Sequence, residues 1–220
     1  MQGSPQIVSD VMTHTVVAVA RGAAFKDIVK VMEQWKVSAV PVLESEGRVI
    51  GLVSEADLLI KEEFRDGEPD LARPLRLSDL AKAGGMTAEQ LMSSPAVTVH
   101  ADATLAQAAR LMARRKVKRL PVVDEDGVLK GIVSRADLLK VFLRPDEELA
   151  EVVRREVVDL LFPAPVVPIR VEVRDGVVIL TGRIRDTSLV PVAARLVRAV
   201  EGVVGVECHL AGASVPGQHT

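Results

Sequence analysis

An internal repeat with an offset of 80 residues restricts how this chain can fold more than any other feature. Met12 placed on Met92 aligns two segments of the sequence without a gap. A repeated unit of about 50 residues buries too little apolar surface to be secure alone, so the two copies are expected to share one core. The matched pairs include Val17 with Val97, Val19 with Val99, Met32 with Met112, Pro41 with Pro121, Gly51 with Gly131, Ser54 with Ser134, and Asp57 with Asp137.

Both copies predict the element order β-α-β-β-α. Apolar residues at helical spacing predict helices over Phe25–Trp35 and Leu105–Arg115. An acidic turn that ends in glycine joins the last two strands of each copy. Ser54 and Ser134 stand where a helix N-cap belongs. Strands are predicted over residues 16–19, 40–43 and 49–53 of the first copy, and over residues 96–99, 120–123 and 129–133 of the second.

Residues 147–211 form a different unit, with the predicted order α-β-β-α-β. Asp175-Gly176 is a strong hairpin signal, and Gly202 ends the second helix. The chain is therefore of the α/β (α+β) class, with two repeats and a small third domain. The predicted parts are a first repeat at 7–61, a connector at 62–86 with a helix over 73–83, a second repeat at 87–145, the third domain at 147–211, and a flexible tail at 212–220.

Both repeats resemble the cystathionine-β-synthase (CBS) domain. The motifs that carry the resemblance are Val40-Pro41-Val42 with Gly51-Leu-Val-Ser-Glu-Ala-Asp57-Leu, and Leu120-Pro121-Val122 with Gly131-Ile-Val-Ser-Arg-Ala-Asp137-Leu. Two tandem copies resemble a Bateman module. The third domain resembles a BON domain through Val173-Arg-Asp-Gly-Val-Val-Ile-Leu-Thr-Gly182 and Val203-Val-Gly-Val-Glu.

The Ser-x-x-Asp corner of each repeat suits a nucleotide. A helix N-terminus carries unpaired N–H groups and about half a positive charge, so it attracts anions. The serine hydroxyl can donate to a phosphate, and the aspartate can accept from both hydroxyls of a ribose. The alternative is that Ser54 with Asp57, and Ser134 with Asp137, only cap their helices.

The resemblance implies adenosine compounds in the clefts between the repeats. AMP, ADP or ATP is the expected ligand, S-adenosylmethionine and NAD are further candidates, and no cofactor is required. The cleft headed by Asp137 is expected to hold Ser38, Ala39, Lys118, Arg119, Ile132 and Ser134, with Arg135 beside them. The cleft headed by Asp57 is expected to hold Leu52 and Ser54, with Val17 and Val97 as walls for the base.

Composition limits the other functions. Aromatic residues make up 2% of the chain and the net charge is −2, which disfavours nucleic-acid binding. The alternative that remains is a nucleic-acid accessory protein that uses the basic run 114–119. No catalytic motif is present, and neighbours in a strand point to opposite faces, so Cys208-His209 does not predict a metal site.

The predicted function is that of a non-enzymatic, cytoplasmic regulatory protein in which the BON-like domain transmits the nucleotide-bound state. That domain is expected to contact a phospholipid or a protein, and four arginines (Arg170, Arg174, Arg183 and Arg185) form a modest basic face on it. The repeats are expected to form a homodimer, because their helices carry more apolar residues than one repeat pair can bury. The residues expected in the dimer interface are Val29, Val31, Trp35, Leu59, Ile60, Val141 and Phe142.

Overall fold

The computed structural model describes residues 6–63, 82–163 and 167–212. Two compact units divide the chain: one spans Ile7–Asp137 and the other begins at Leu138. Both repeats lie in the first unit, so contacts between them are contacts within one folded body.

Each repeat has the predicted order β-α-β-β-α, preceded by a short helix. Because the repeats are offset by 80 residues, each element has a counterpart in the other copy. The first repeat contains α1 (Val8–Val11), β1 (Val19–Ala20), α2 (Phe25–Trp35), β2 (Ala39–Leu43), β3 (Val49–Ser54) and α3 (Glu55–Glu63). The second contains α4 (Ala88–Leu91), β4 (Val99–His100), α5 (Leu105–Arg115), β5 (Arg119–Val123), β6 (Leu129–Ser134) and α6 (Arg135–Leu139).

The two repeat sheets have the same topology. In each, the short first strand pairs in parallel with the second, and the second pairs antiparallel with the third. The strands predicted over 16–19 and 96–99 were placed wrongly: β1 is Val19–Ala20 and β4 is Val99–His100. The reason is that only these two residues of each segment find partners on the second strand.

Helix and strand burial follows from the apolar spacing. In the first repeat Ile28 and Met32 on α2 are buried, and so are the first four residues of β2. In the second repeat Leu105, Ala108 and Met112 are buried on α5. Positions four apart lie on one side of a helix, so each helix covers its own sheet with one apolar face.

The segment between the first helix and the first strand of each repeat packs on the other repeat. Thr13 forms a backbone bridge with Ile132 on β6, and Ser93 forms the equivalent bridge with Leu52 on β3. The glycine in each third strand makes room for this exchange: a Cβ at Gly131 would lie 2.7 Å from Met12 Sδ. The two repeats are therefore interlocked at their third strands.

The second unit has the predicted order α-β-β-α-β. It contains α7 (Asp146–Val153), α8 (Asp159–Leu161), β7 (Val167–Arg174), β8 (Val177–Ile184), α9 (Val190–Ala199) and β9 (Gly205–Gly212), with a π turn over Arg154–Val158. Its sheet has the order β7-β8-β9, and β8 is parallel to β9. Asp146 accepts hydrogen bonds from the backbone N–H groups of Asp175 and Gly176, which fixes the hairpin turn to α7.

Residues 73–81 of the predicted connector helix lie outside the described residues. Its last two residues, Lys82 and Ala83, are described and are helical. The predicted tail 212–220 also lies outside the described residues after Gly212. Within the described ranges, the helices are too short or too polar to cross a membrane.

Candidate functional site

The Ser-x-x-Asp corner has almost the same geometry in both repeats. Ser134 Oγ donates to Asp137 Oδ2 at 2.7 Å, and the Ser134 N–H donates to the same oxygen at 2.9 Å. The corresponding distances from Ser54 to Asp57 Oδ2 are 2.6 and 2.8 Å. The capping interaction that the sequence left open therefore forms in both copies. It uses Oδ2 of each carboxylate.

The cleft beside Asp137 contains side chains from both repeats. Arg119 lies opposite Ser134 in the β5–β6 register, and its Nη2 donates to Ser38 Oγ of the first repeat at 2.6 Å. Two residues before Ser134 on β6, the Ile132 carbonyl accepts a hydrogen bond from the Thr13 N–H of the first repeat at 2.9 Å. Arg119 thus neighbours the Ser134–Asp137 corner on the sheet and reaches Ser38, whose carbonyl accepts from the Glu55 N–H at the start of α3. A guanidinium, a hydroxyl and a carboxylate are the groups that a phosphate and a ribose require.

The cleft beside Asp57 differs in its cation. Lys82, from the end of the connector, forms an ion pair with Asp57 Oδ1, and its ammonium also donates to Ser93 Oγ at 3.0 Å. The Leu52 N–H donates to the Ser93 carbonyl at 3.2 Å, so Ser93 is part of the backbone bridge by which the second repeat packs on β3. Both oxygens of the Asp57 carboxylate are engaged.

The remaining predicted site residues differ in how deeply they are buried. Ala39 is buried opposite Ser54 in the β2–β3 register, and Val17 packs against the core of the first repeat. Val97 is half-buried. Lys118 is exposed, and its carbonyl accepts from the Arg135 N–H at 3.0 Å.

The basic residues of the run 114–119 differ in exposure: Arg119 is half-buried and the other four are exposed. Lys116 ends α5 in the left-handed conformation at φ 56°. Arg119 donates to Ser38, as described above, and is half-buried. Arg135 turns toward this run, but its Nη2 donates to the Val117 carbonyl at 3.1 Å. No specific feature of the run favours the nucleic-acid alternative.

A metal site or a reactive thiol finds no support where the structure describes the chain. The His, Cys, Asp and Glu side chains of the described ranges form no group of three that could hold a metal ion. Burial raises the pKa of the Cys208 thiol, and the nearby positive charge of Arg198 lowers it by a smaller amount. Cys208 packs against the core of the second unit, as a small apolar residue does.

Sequence reasoning missed three residues at the clefts: Thr13, Ser93 and Lys82. The repeat carried a signal for two of them, because Thr13 falls on Ser93 in the same alignment that places Met12 on Met92. No local pattern pointed to Lys82, since it lies in the connector and reaches Asp57 only through the tertiary fold.

Two interlocked β-α-β-β-α repeats with one Ser-x-x-Asp corner each define the class of a tandem CBS pair. The family model described as CBS domain matches residues 8–62 and 88–144, and that described as BON domain matches residues 145–213. The chain belongs to the CBS-domain family and carries a BON domain after the pair. The predicted family assignment and fold class are confirmed.

Relatives match mainly over the repeats. An uncharacterized protein of Methanocaldococcus jannaschii is 29% identical in an alignment of length 160 that covers 65% of this chain and 95% of that protein. Inosine-5'-monophosphate dehydrogenase of Helicobacter pylori is 29% identical over 116 residues, which are 53% of this chain and only 20% of the enzyme. The similarity to the dehydrogenase therefore concerns a minor part of that enzyme.

Solved CBS pairs have the same fold. The CBS-pair protein CBSX2 from Arabidopsis thaliana is 28% identical with a TM-score of 0.50, covering 64% of this chain and 96% of that one. A structure of CBSX2 in complex with AMP is 28% identical with a TM-score of 0.55, covering 62% of this chain and 96% of that one.

Proposed function

We propose that this protein is a non-enzymatic regulator that binds adenosine nucleotides in the clefts between its CBS repeats. The observation that carries the proposal is the cleft beside Asp137, where Arg119, Ser38 and the Ser134–Asp137 corner lie together. CBSX2, which is similar over the same repeats, has been crystallised with AMP.

In the proposed complex, the Asp137 carboxylate accepts hydrogen bonds from the ribose hydroxyls. The Arg119 guanidinium turns from Ser38 to the phosphate, because an ionised acceptor makes a stronger hydrogen bond than a neutral hydroxyl does. Ser134 at the start of α6 turns its hydroxyl from Asp137 to the same phosphate, where the unpaired N–H groups of the helix also favour negative charge. Lys118 adds positive charge at the outer edge of this cleft.

Regulation by such a ligand is a matter of differential affinity. Each cleft takes residues from both repeats, so a nucleotide that fits one arrangement of the pair better than another shifts the pair toward that arrangement. We propose that the BON domain transmits this state through a protein contact. A lipid contact through its arginines is less favoured, because Glu172 pairs with Arg170 at 2.6 Å and with Arg174 at 3.3 Å.

A thermal-shift titration tests the nucleotide proposal. AMP, ADP, ATP, S-adenosylmethionine and NAD are each added to the full chain at rising concentration. A ligand that binds only the native state adds about 2.7 kcal/mol of stability at a hundredfold excess over its Kd. We expect a concentration-dependent rise in Tm with at least one adenosine nucleotide and none with guanosine or inorganic phosphate. No shift with any of the five compounds would refute the proposal.

We further propose that the chain forms a homodimer through the repeat helices. Helices α2 and α3 border a groove of about 680 Å³. Six of its ten lining residues are apolar, among them Phe25 and Leu58, and the other four are Glu33, Lys36, Ser38 and Glu55. Trp35 and Leu59 beside it are 53% and 56% exposed. The expectation that Val141 is also exposed was wrong: a 3-10 turn over Lys140–Leu143 follows α6 and buries Val141 while it leaves Phe142 outside.

Light scattering measures the assembly directly. A dimer has a mass of about 47 kDa, twice the 23.6 kDa of the chain. Replacement of the exposed Trp35 by Glu is expected to convert that dimer to a monomer, because it places a charge in an apolar interface. Weak dimers form at concentrations on the order of tens of micromolar. If the wild-type chain is a monomer at that concentration, the proposal is contradicted.

A further inference from the structure

The Lys82 side chain contacts the carboxylate that heads the Asp57 cleft. Its ammonium pairs with Asp57 Oδ1, while Asp57 Oδ2 accepts the Ser54 N–H and Oγ–H. The side chains of Lys82 and Asp57 are only 13% and 12% exposed. The ion pair of Lys130 with Asp124 in the second repeat, by comparison, is 50% and 32% exposed.

The burial of the pair determines how strongly it competes with a ligand. Exposed ion pairs contribute little, because water screens them. In a buried pair, separation leaves each charge without compensation unless a new partner replaces the lost one. The hydroxyls of a ribose can replace the ammonium on Asp57, but of the partners that Lys82 has among the described residues, only the Ser93 hydroxyl at 3.0 Å then remains. When a neutral ribose displaces Lys82, the Asp57 carboxylate therefore loses one charged hydrogen-bond donor and gains two uncharged ones.

We propose that Lys82 weakens adenosine-nucleotide binding at the Asp57 cleft by occupying the ribose-binding carboxylate. This inference rests on the proposed function. Lys82 belongs to the connector between the repeats, so a nucleotide that enters this cleft must displace the end of the connector from Asp57 and Ser93. The Asp57 cleft consequently responds to a higher nucleotide concentration than it would if the lysine were absent.

The test measures AMP binding to the full chain by calorimetry in an Asp137→Asn background, which removes the negative charge of the ribose-binding side chain in the other cleft. Lys82→Met in that background is expected to bind AMP at least tenfold more tightly than Asp137→Asn alone. Lys130→Met is the matched control: it removes a lysine from an exposed Lys–Asp pair and is expected to leave the affinity unchanged. Addition of Asp57→Asn to Lys82→Met is expected to abolish the gain, because the lysine acts through that carboxylate.

A second variant covers the case in which Lys82→Met does not fold. Lys82→Gln keeps a hydrogen-bond donor for Asp57 and removes only the charge, and it is expected to give a smaller gain in affinity. If the wild-type chain binds AMP but the folded Lys82 variants bind no more tightly than their Asp137→Asn parent, the role of Lys82 is refuted while the proposed function stands. If neither the wild type nor any variant binds an adenosine nucleotide, both proposals fail.

Discussion

The Asp137→Ala variant distinguishes two roles of the Asp137 carboxylate, helix capping and ribose binding. Oδ2 of Asp137 accepts the Ser134 N–H at 2.9 Å and the Ser134 Oγ–H at 2.7 Å, so the alanine variant loses a helix cap. Both residues are half-buried, and water can reach the freed N–H. The loss of a cap of this kind costs about 1 kcal/mol of stability. Helix capping alone predicts this loss and no change in ligand affinity.

The proposed ribose contact adds a second effect that is measured separately. A hydrogen bond to a charged group contributes about 1.5–3 kcal/mol, and each 1.4 kcal/mol is about a tenfold change in Kd. We therefore expect Asp137→Ala to weaken AMP binding by about 10- to 150-fold in calorimetry, while a thermal melt shows a folded protein. An affinity within about twofold of the wild type, on the same energy scale, would remove Asp137 from the site and leave only the cap.

Asp124→Ala is the matched control for this experiment. Asp124 also lies in the second repeat and also caps a turn: its carboxylate accepts the backbone N–H groups of Val128 at 2.9 Å and Asp126 at 3.1 Å. The Lys130 side chain and these N–H groups lower the pKa of Asp124. Its replacement is expected to reduce stability and to leave the affinity for AMP unchanged. Equal losses of affinity in both variants would indicate a general effect on the fold.

Three further outcomes are expected. Arg119→Ala should weaken ATP and ADP more than adenosine in calorimetric titrations, because its proposed partner is a phosphate, and equal losses for all three would contradict that assignment. Gly131→Ala should lose about 1–3 kcal/mol in urea unfolding, because its Cβ would lie 2.7 Å from Met12 Sδ and 3.0 Å from the Thr13 carbonyl oxygen, which the backbone holds in place. Gly22→Ala has nothing within 4 Å of the added Cβ and should change stability by less than about 0.5 kcal/mol; equal effects would contradict the interlocking. Cys208, whose pKa is raised by burial, should react with iodoacetamide more slowly in the native protein than in urea, and equal rates would refute its place in the core.

The sequence by itself determined the order of elements and the corners of the site. Helical spacing located α2 at Phe25–Trp35, and Asp175-Gly176 located the hairpin of the second unit. The Ser-x-x-Asp geometry was also predictable, since Ser134 and Asp137 are three residues apart at a helix start. These features are local: periodicity, turn chemistry and capping act over a few residues, so a single stretch of chain contains the information.

The family resemblance implied that Ser38 and Arg119 share a cleft, and the tertiary structure alone decided the other contacts across the repeats. Thr13 pairs with Ile132 and Ser93 with Leu52 only because the segment after the first helix of each repeat packs on the other repeat. Lys82 reaches Asp57 for the same kind of reason, 25 residues away along the chain. No periodic pattern records such contacts, because they depend on how two separately formed sheets fit together. The duplicated motif could therefore predict two similar corners, but the cation that pairs with Asp57 was decided by packing between distant parts of the chain.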